Sequence, residues 1–204
     1  MVLAADALQR LKDGNQRFVA ELGGSEGQSS EQRRRALITK QEPFAIILGC
    51  SDSRVPAELV FDQGLGDLFV IRVAGNIVAP SQIGSIEFSA TQHGTRLVVV
   101  LGHSQCGAIL ATIQELGRRS EDQSRNLQSI VNRVRPSVEA LMDTEIAKNP
   151  EELVRRAVRN NIRMSVNQLR HGSDILENLI EKEGLQIVGA EYSLETGVVE
   201  FLDH

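Results

Sequence analysis

The two cysteines of this 204-residue chain lie beside residues that could bind a metal or take part in acid–base chemistry. Asp52 and Arg54 follow Cys50, and Cys106 lies three residues after His103. Two thiolates and one imidazole suit Zn²⁺, and three protein ligands leave a tetrahedral position open for water, as in catalytic zinc sites. These residues therefore predict a catalytic zinc site formed by Cys50, His103 and Cys106.

Taken one at a time, the same residues have other interpretations. His103 and Cys106 could be a packed histidine beside a buried cysteine. Cys50 could be an inert core thiol, or a nucleophile with His103 as its base. The metal site is favoured because both cysteines and this histidine fall at the ends of predicted strands. His93 and His171 each precede a glycine at a predicted helix end, where a capping role is expected.

The elements that must position these residues are three apolar runs, at 44–48, 68–73 and 97–101. The runs are rich in β-branched residues and nearly unbroken, which is typical of parallel strands covered on both faces. A helix predicted at 85–92 connects the second run to the third. In an open α/β sheet, ligands bind at the carboxyl ends of the strands. We therefore expect Cys50, which follows the first run, to meet His103 and Cys106, which follow the third.

The remaining segments surround this predicted sheet. An amphipathic helix is predicted at 3–19, followed by a loop rich in glycine and serine at 23–30 and a helix from Ser30 to about Thr39. Residues 106–183 are mostly helical in pattern, and the expected breaks are Pro136, Asn149–Pro150 and Gly184.

Two C-terminal strands, at 186–192 and 197–201, complete the pattern. It predicts an α/β fold with a mostly parallel sheet flanked by helices. We expect one domain over residues 1–204, with an N-terminal helical arm at about 1–40.

Composition argues against several classes of function. The net charge is −5, the 22 basic residues are scattered, and the chain has no tryptophan and one tyrosine, so a nucleic-acid partner is not expected. The N-terminus lacks the features of a signal peptide, and no apolar run approaches the ~20 residues of a membrane span. We expect a cytoplasmic protein without a membrane partner.

The ligand-bearing segments, CSDSRVP at 50–56 and HSQCG at 103–107, resemble the two signature motifs of the β-carbonic anhydrases. Further similarity lies in four other short segments: GNQRF at 14–18, GDLF at 66–69, RVAGN at 72–76 and GSIEF at 84–88. The resemblance covers nearly the whole chain, with the motifs in the family's order.

This resemblance implies one Zn²⁺ per chain on the three ligands and hydration of carbon dioxide to bicarbonate by zinc-bound hydroxide. Asp52 and Arg54 would form the catalytic dyad that orients the hydroxide. The implied fold has four parallel strands with an added antiparallel edge strand. The implied assembly is a homodimer, or a tetramer made of two dimers, with active sites at the dimer interface.

The resemblance also assigns residues to the substrate pocket. Gln41 matches a substrate-binding glutamine that some members supply across the dimer interface. Phe69 and Phe88 match apolar residues that line the carbon dioxide pocket, and the backbone N–H of Gly107 is expected to face substrate.

Two regulatory subgroups exist in this family, and they differ at positions that can be read here. One subgroup closes its site by turning the aspartate onto zinc, and it has a tryptophan where this chain has Ile47. Together with Gln41, this difference favours the always-accessible subgroup. Asp52 is kept as a conditional fourth ligand in a closed state.

Two other functions remain open at this stage. One is hydrolysis of carbonyl sulfide or carbon disulfide on the same scaffold. The other is a zinc-stabilised binding or redox-sensing protein.

Overall fold

The structure is a computed structural model that describes residues 2–22, 30–116 and 124–202. The loop predicted at 23–30 lies outside the described residues, apart from Ser30.

The centre of the fold is a five-stranded sheet in the order β2-β1-β3-β4-β5. The first four strands are parallel, and the last pairs antiparallel with its neighbour. Their bounds are β1 Ala45–Gly49, β2 Leu68–Arg72, β3 Leu97–His103, β4 Gln186–Tyr192 and β5 Val199–Leu202. The predicted α/β fold with an added antiparallel edge strand is confirmed.

Eight α-helices are described around this sheet. They are α1 Ala4–Val19, α2 Glu31–Ala36, α3 Ala57–Val60, α4 Pro80–Gln92, α5 Gly107–Leu116, α6 Arg125–Met142, α7 Pro150–His171 and α8 Asp174–Glu183. Their ends follow from capping residues: the Ser30 hydroxyl accepts from the N–H of Arg33, and Gly184 ends α8 with a left-handed φ of 72°. None of the described helices is both long and apolar enough to cross a membrane.

The two faces of the sheet are covered by different helices. Helices α4 to α8 cover one face, where Ile46 and Val98 of the sheet lie in one apolar cluster with Ile162 of α7. Helices α1 and α3 cover the other face, where Leu11 of α1 belongs to a second cluster. Burial of strands on both faces explains their unbroken apolar sequences.

Asn15 anchors α1 to distant parts of the chain. Its Nδ2 donates to the carbonyls of Val60 (3.0 Å) and Gly197 (2.9 Å), and its Oδ1 accepts from the N–H of Val199 at 2.8 Å. One buried side chain therefore joins the first helix to the C-terminal hairpin.

One predicted helix break is wrong. Pro136 lies inside α6 rather than at a boundary. Proline removes one helical hydrogen bond, but Val134 and Val138 on either side of it are fully buried in the core. Packing of this apolar face keeps the two halves in one helix. The break predicted at Asn149–Pro150 is confirmed, since Asn149 caps α7 and Pro150 is its first residue.

Helix α7 packs closely against the strand that carries His103. A Cβ atom built on Gly102 would lie 2.6 Å from both Cδ1 and Cγ1 of Ile162, and one built on Gly189 of β4 would lie 2.7 Å from its Cγ2. The Ile162 side chain therefore occupies a hollow that two glycines leave on neighbouring strands. This hollow places α7 directly against the residue before a predicted metal ligand.

Candidate metal centre

The three predicted ligands meet at the carboxyl ends of two neighbouring strands. Cys50 follows β1, His103 is the last residue of β3, and Cys106 immediately precedes α5. Their ligand atoms all lie within 4.8 Å of one another, and the residues are 5%, 0% and 1% exposed respectively. Parallel pairing of β1 with β3 produces this meeting.

The imidazole of His103 is oriented with one nitrogen toward the cysteines. Its Nδ1 lies 2.8 Å from the carbonyl oxygen of Ser104. Because a carbonyl only accepts, Nδ1 carries the proton and Nε2 presents its lone pair. Nε2 is buried, and no described group forms a hydrogen bond with it. A metal ion would satisfy this buried nitrogen.

The pKa values of the two thiols are shifted in opposite directions. A hydrogen bond from Cys106 lowers the pKa of Cys50, with smaller contributions that include the backbone N–H of Gly75. The same contact with Cys50, together with burial, raises the pKa of Cys106. The site therefore holds one thiolate readily, and a bound cation would favour release of the second proton. This buried set of two sulfurs and one free imidazole nitrogen fits zinc.

Asp52 lies beside the cluster but is paired with Arg54. Its Oδ1 accepts from the backbone N–H (3.0 Å) and Nε (2.9 Å) of Arg54, and its Oδ2 accepts from Nη2 at 2.8 Å. Hydrogen bonding to Arg54 holds the pKa of Asp52 well below its usual range. Oδ2 is 3.9 Å from His103 Nε2, so the carboxylate borders the cluster without entering the group of ligand atoms.

Arg72 was not singled out from the sequence beyond its place in a motif. Its Nε donates to the carbonyl of Cys50 at 3.1 Å, and its Nη2 donates to the carbonyl of Asp52 at 2.5 Å. These bonds hold the loop that carries both residues.

Gly107, predicted to face substrate, is the first residue of α5, and a Cβ there would meet no heavy atom within 4 Å.

The other residues predicted for the substrate pocket lie away from the three candidate ligands in the fold. Phe69 pairs with Ile46 in the sheet, four residues before Cys50 along β1. At about 3.3 Å per residue, that separation is roughly 13 Å along the strand. Phe88 stacks near Phe69 with ring centroids 6.2 Å apart, and Gln41 precedes β1. These residues lie toward the amino ends of the strands, whereas the ligands lie at the carboxyl ends.

His93 belongs to this second group. It ends α4 as predicted, but its ring also packs edge-on against Phe88, with centroids 5.5 Å apart, and lies 6.2 Å from Phe69. It lines a cavity of about 640 Å³ with Gln41. Sequence reasoning missed this contact because helix and strand meet here only through tertiary packing.

Comparisons of the sequence with a family model and with known proteins indicate the same family. A protein-family model described as carbonic anhydrase matches residues 45–199. The chain is 39% identical to a carbonic anhydrase of Mycolicibacterium smegmatis over 198 residues, covering 97% of this chain and 93% of that protein. It is 37% identical to carbonic anhydrase 2 of Mycobacterium tuberculosis, with 97% and 92% covered.

Solved structures agree with this similarity. The β-carbonic anhydrase CcaA superposes with a TM-score of 0.75 at 25% identity, covering 96% of this chain and 95% of that chain. A structure from a study of two tetrameric β-carbonic anhydrases of Sordaria macrospora shares the fold, with a TM-score of 0.75 at 22% identity and coverage of 84% and 86%. With a family model over most of its length, close relatives over nearly all of it and the same fold, this chain belongs to the β-carbonic anhydrase family.

Proposed function

We propose that this chain catalyses the reversible hydration of carbon dioxide to bicarbonate and a proton, with one Zn²⁺ held by Cys50, His103 and Cys106. The observation that carries the proposal is the buried group of three ligand atoms within 4.8 Å, in which His103 Nε2 has no hydrogen-bond partner among the described residues. When bound, zinc would lower the pKa of water from 15.7 to about 7, which makes a nucleophile available near neutral pH.

Asp52 and Arg54 are proposed as the catalytic dyad. Arg54 binds both carboxylate oxygens of Asp52 and so holds the carboxylate in one orientation. Because its pKa is lowered, Asp52 is ionised and can only accept a hydrogen bond. It would accept one from the attacking water and direct the water's lone pair toward carbon dioxide. The same pairing holds the Asp52 carboxylate beside the ligand atoms but outside their group, which supports the always-accessible subgroup.

The substrate pocket is proposed to form between two copies of the chain. Phe69 and Phe88 lie toward the amino ends of the strands, whereas the ligands lie at the carboxyl ends, so within one copy they are poorly placed to border the metal. A second copy would bring its Gln41, Phe69 and Phe88 to the ligands of the first. There the aromatic rings would exclude water around a nonpolar substrate, and the N–H of Gly107 would face it. We therefore propose a homodimer, or a tetramer made of two dimers.

Zinc content and stopped-flow hydration of carbon dioxide, measured on the same preparation, test the reaction. We expect one zinc per chain, rapid hydration, and loss of both metal and activity in Cys50→Ser and His103→Ala. Full activity in a metal-free preparation would refute the proposal. Rates on carbonyl sulfide, measured beside those on carbon dioxide, decide which substrate the site prefers.

Hybrid oligomers test the shared pocket. A Cys50→Ser subunit keeps Gln41 but has an incomplete metal site, and a Gln41→Ala subunit has the reverse defect. If Gln41 acts across the interface, mixing the two restores one complete site in each hybrid dimer, and activity rises above that of either parent. If mixtures show only the average of the parents, Gln41 does not act across the interface.

A further inference from the structure

A tight turn at 74–76 follows β2, and its middle residue contacts a metal ligand. The N–H of Gly75 donates to Sγ of Cys50 across 3.3 Å, and both groups are buried. Gly75 has a φ of +72°, and a Cβ there would lie 3.0 Å from Cβ of Ala108. Asn76 also has a positive φ, of 43°. Glycine adopts a positive φ without steric cost, whereas the positive φ of Asn76 is less favourable and needs support from its surroundings.

Helix α7 supplies the groups that hold this turn. Nδ2 of Asn161 donates to the carbonyl of Gly75 at 2.8 Å, and Oγ of Ser165 donates to the carbonyl of Asn76 at 3.2 Å. Asn161 and Ser165 lie one turn apart on the same face of α7 and are 3% and 5% exposed. Because the site is buried, water does not readily replace these donors.

The orientation of the Asn161 amide follows from its contact with Gly75, because the Gly75 carbonyl can only accept and must therefore face the NH₂ group. On the other side of the amide, Oγ of Ser137 on α6 lies 3.4 Å from Oδ1 of Asn161 and 3.3 Å from Sδ of Met164, and its one proton can be donated to either acceptor. A buried chain of hydrogen bonds therefore runs from Asn161 on α7 through Gly75 to the sulfur of Cys50.

We propose that Asn161 is a positioning residue for the metal centre, which acts through Gly75 to keep an N–H donor on the Cys50 sulfur. The proposal rests on the zinc site proposed above. A donor on a thiolate stabilises the charged sulfur and fixes the direction of the lone pairs that remain for a metal. Removing groups that orient metal ligands typically changes metal affinity or activity by about 10–100-fold.

The test compares Asn161→Leu with Val166→Ala, both in α7. Asn161→Leu removes the amide while keeping a side chain of similar size. Val166 packs near Gly189 of β4 and has no hydrogen bond to the turn, so its variant reports general loosening of the helix. We expect Asn161→Leu to release zinc to a chromophoric chelator about 10-fold faster than wild type. We also expect a shifted thiolate-to-metal absorption band in its cobalt-substituted form. Val166→Ala should match wild type in both measurements while lowering Tm.

A wild-type release rate and an unshifted cobalt band in Asn161→Leu would overturn the proposal. Equal acceleration by Val166→Ala would also overturn it, because the effect would then be general. If Asn161→Leu does not fold, Asn161→Ser takes its place, since serine is too short to reach the Gly75 carbonyl. A wild-type protein that binds no zinc would instead refute the proposed function, which separates the two failures.

Discussion

Replacing Gly102 with alanine would place a methyl group against Ile162, one residue before His103. The new Cβ would lie 2.6 Å from two Ile162 carbons, whereas carbon atoms normally approach to about 3.5–4.0 Å. Overpacking of this kind costs about 1–3 kcal/mol, and replacing a strand glycine returns about 0.5–1 kcal/mol. We expect a net loss in the free energy of unfolding of about 1–2 kcal/mol.

Ile162→Ala provides the compensating change, because it removes every carbon that the new methyl group would meet. Alone, it should cost about 2–5 kcal/mol, as for other buried isoleucines. In the double variant the overlap is gone and the added methyl fills part of the cavity. The double variant should therefore be more stable than the sum of the two single losses predicts, by about 2 kcal/mol.

Urea unfolding at one fixed protein concentration measures these values, with zinc removed so that metal binding does not add to stability. Gly84→Ala in α4 is the matched control. A Cβ there meets nothing within 4 Å, so we expect it to stabilise the helix by about 0.5–1 kcal/mol. Losses that add to within about 0.5 kcal/mol in the double variant would refute the packing argument.

Three further predictions follow from the site and its supports. Asp52→Asn should keep its zinc but lose about 10²-fold in the rate of carbon dioxide hydration, and an unchanged rate would contradict the dyad. Because Arg54 lowers the pKa of Asp52, the carboxylate should stay ionised as the pH falls to about 4, and its contribution to stability should be lost only at lower pH. Arg54→Gln should raise that pKa toward its ordinary value, which NMR titration of the carboxyl carbon would detect; equal values in the two proteins would contradict this. Asn15→Ala leaves three backbone groups without its hydrogen bonds and should cost about 2–4 kcal/mol in urea unfolding; a loss below about 0.5 kcal/mol would show that water replaces them.

The candidate metal site could be predicted from the sequence because each candidate ligand comes after a recognisable apolar run. Apolar runs before Cys50 and His103 identify neighbouring strands, and the rule that ligands bind at strand carboxyl ends brings these residues together. Helix caps such as Ser30 and Gly184 were also predictable, because the residue types that begin or end a helix can be recognised from the local sequence.

What the sequence did not reveal depends on packing between distant segments. Asn161 and Gly75 are 86 residues apart, and no local pattern shows that the Asn161 side chain will meet the Gly75 backbone. Pro136 was misread because its local preference was outweighed by burial of its helical neighbours. The contact of His93 with Phe88 likewise depends on how the end of α4 lies against its surroundings.

The hydrogen bonds of Asn15 have a consequence for the order of folding. Helix α1 is synthesised well before the C-terminal hairpin, because the Gly197 carbonyl that Asn15 binds lies 182 residues later. The helix and its bond to Val60 can form earlier, yet the bonds of Asn15 to Gly197 and Val199 cannot form until the last hairpin exists. Closure of so long a loop makes this contact a late event. A ribosome-bound chain that stops before Gly197 would therefore leave the Asn15 side chain with only the Val60 carbonyl of its three partners.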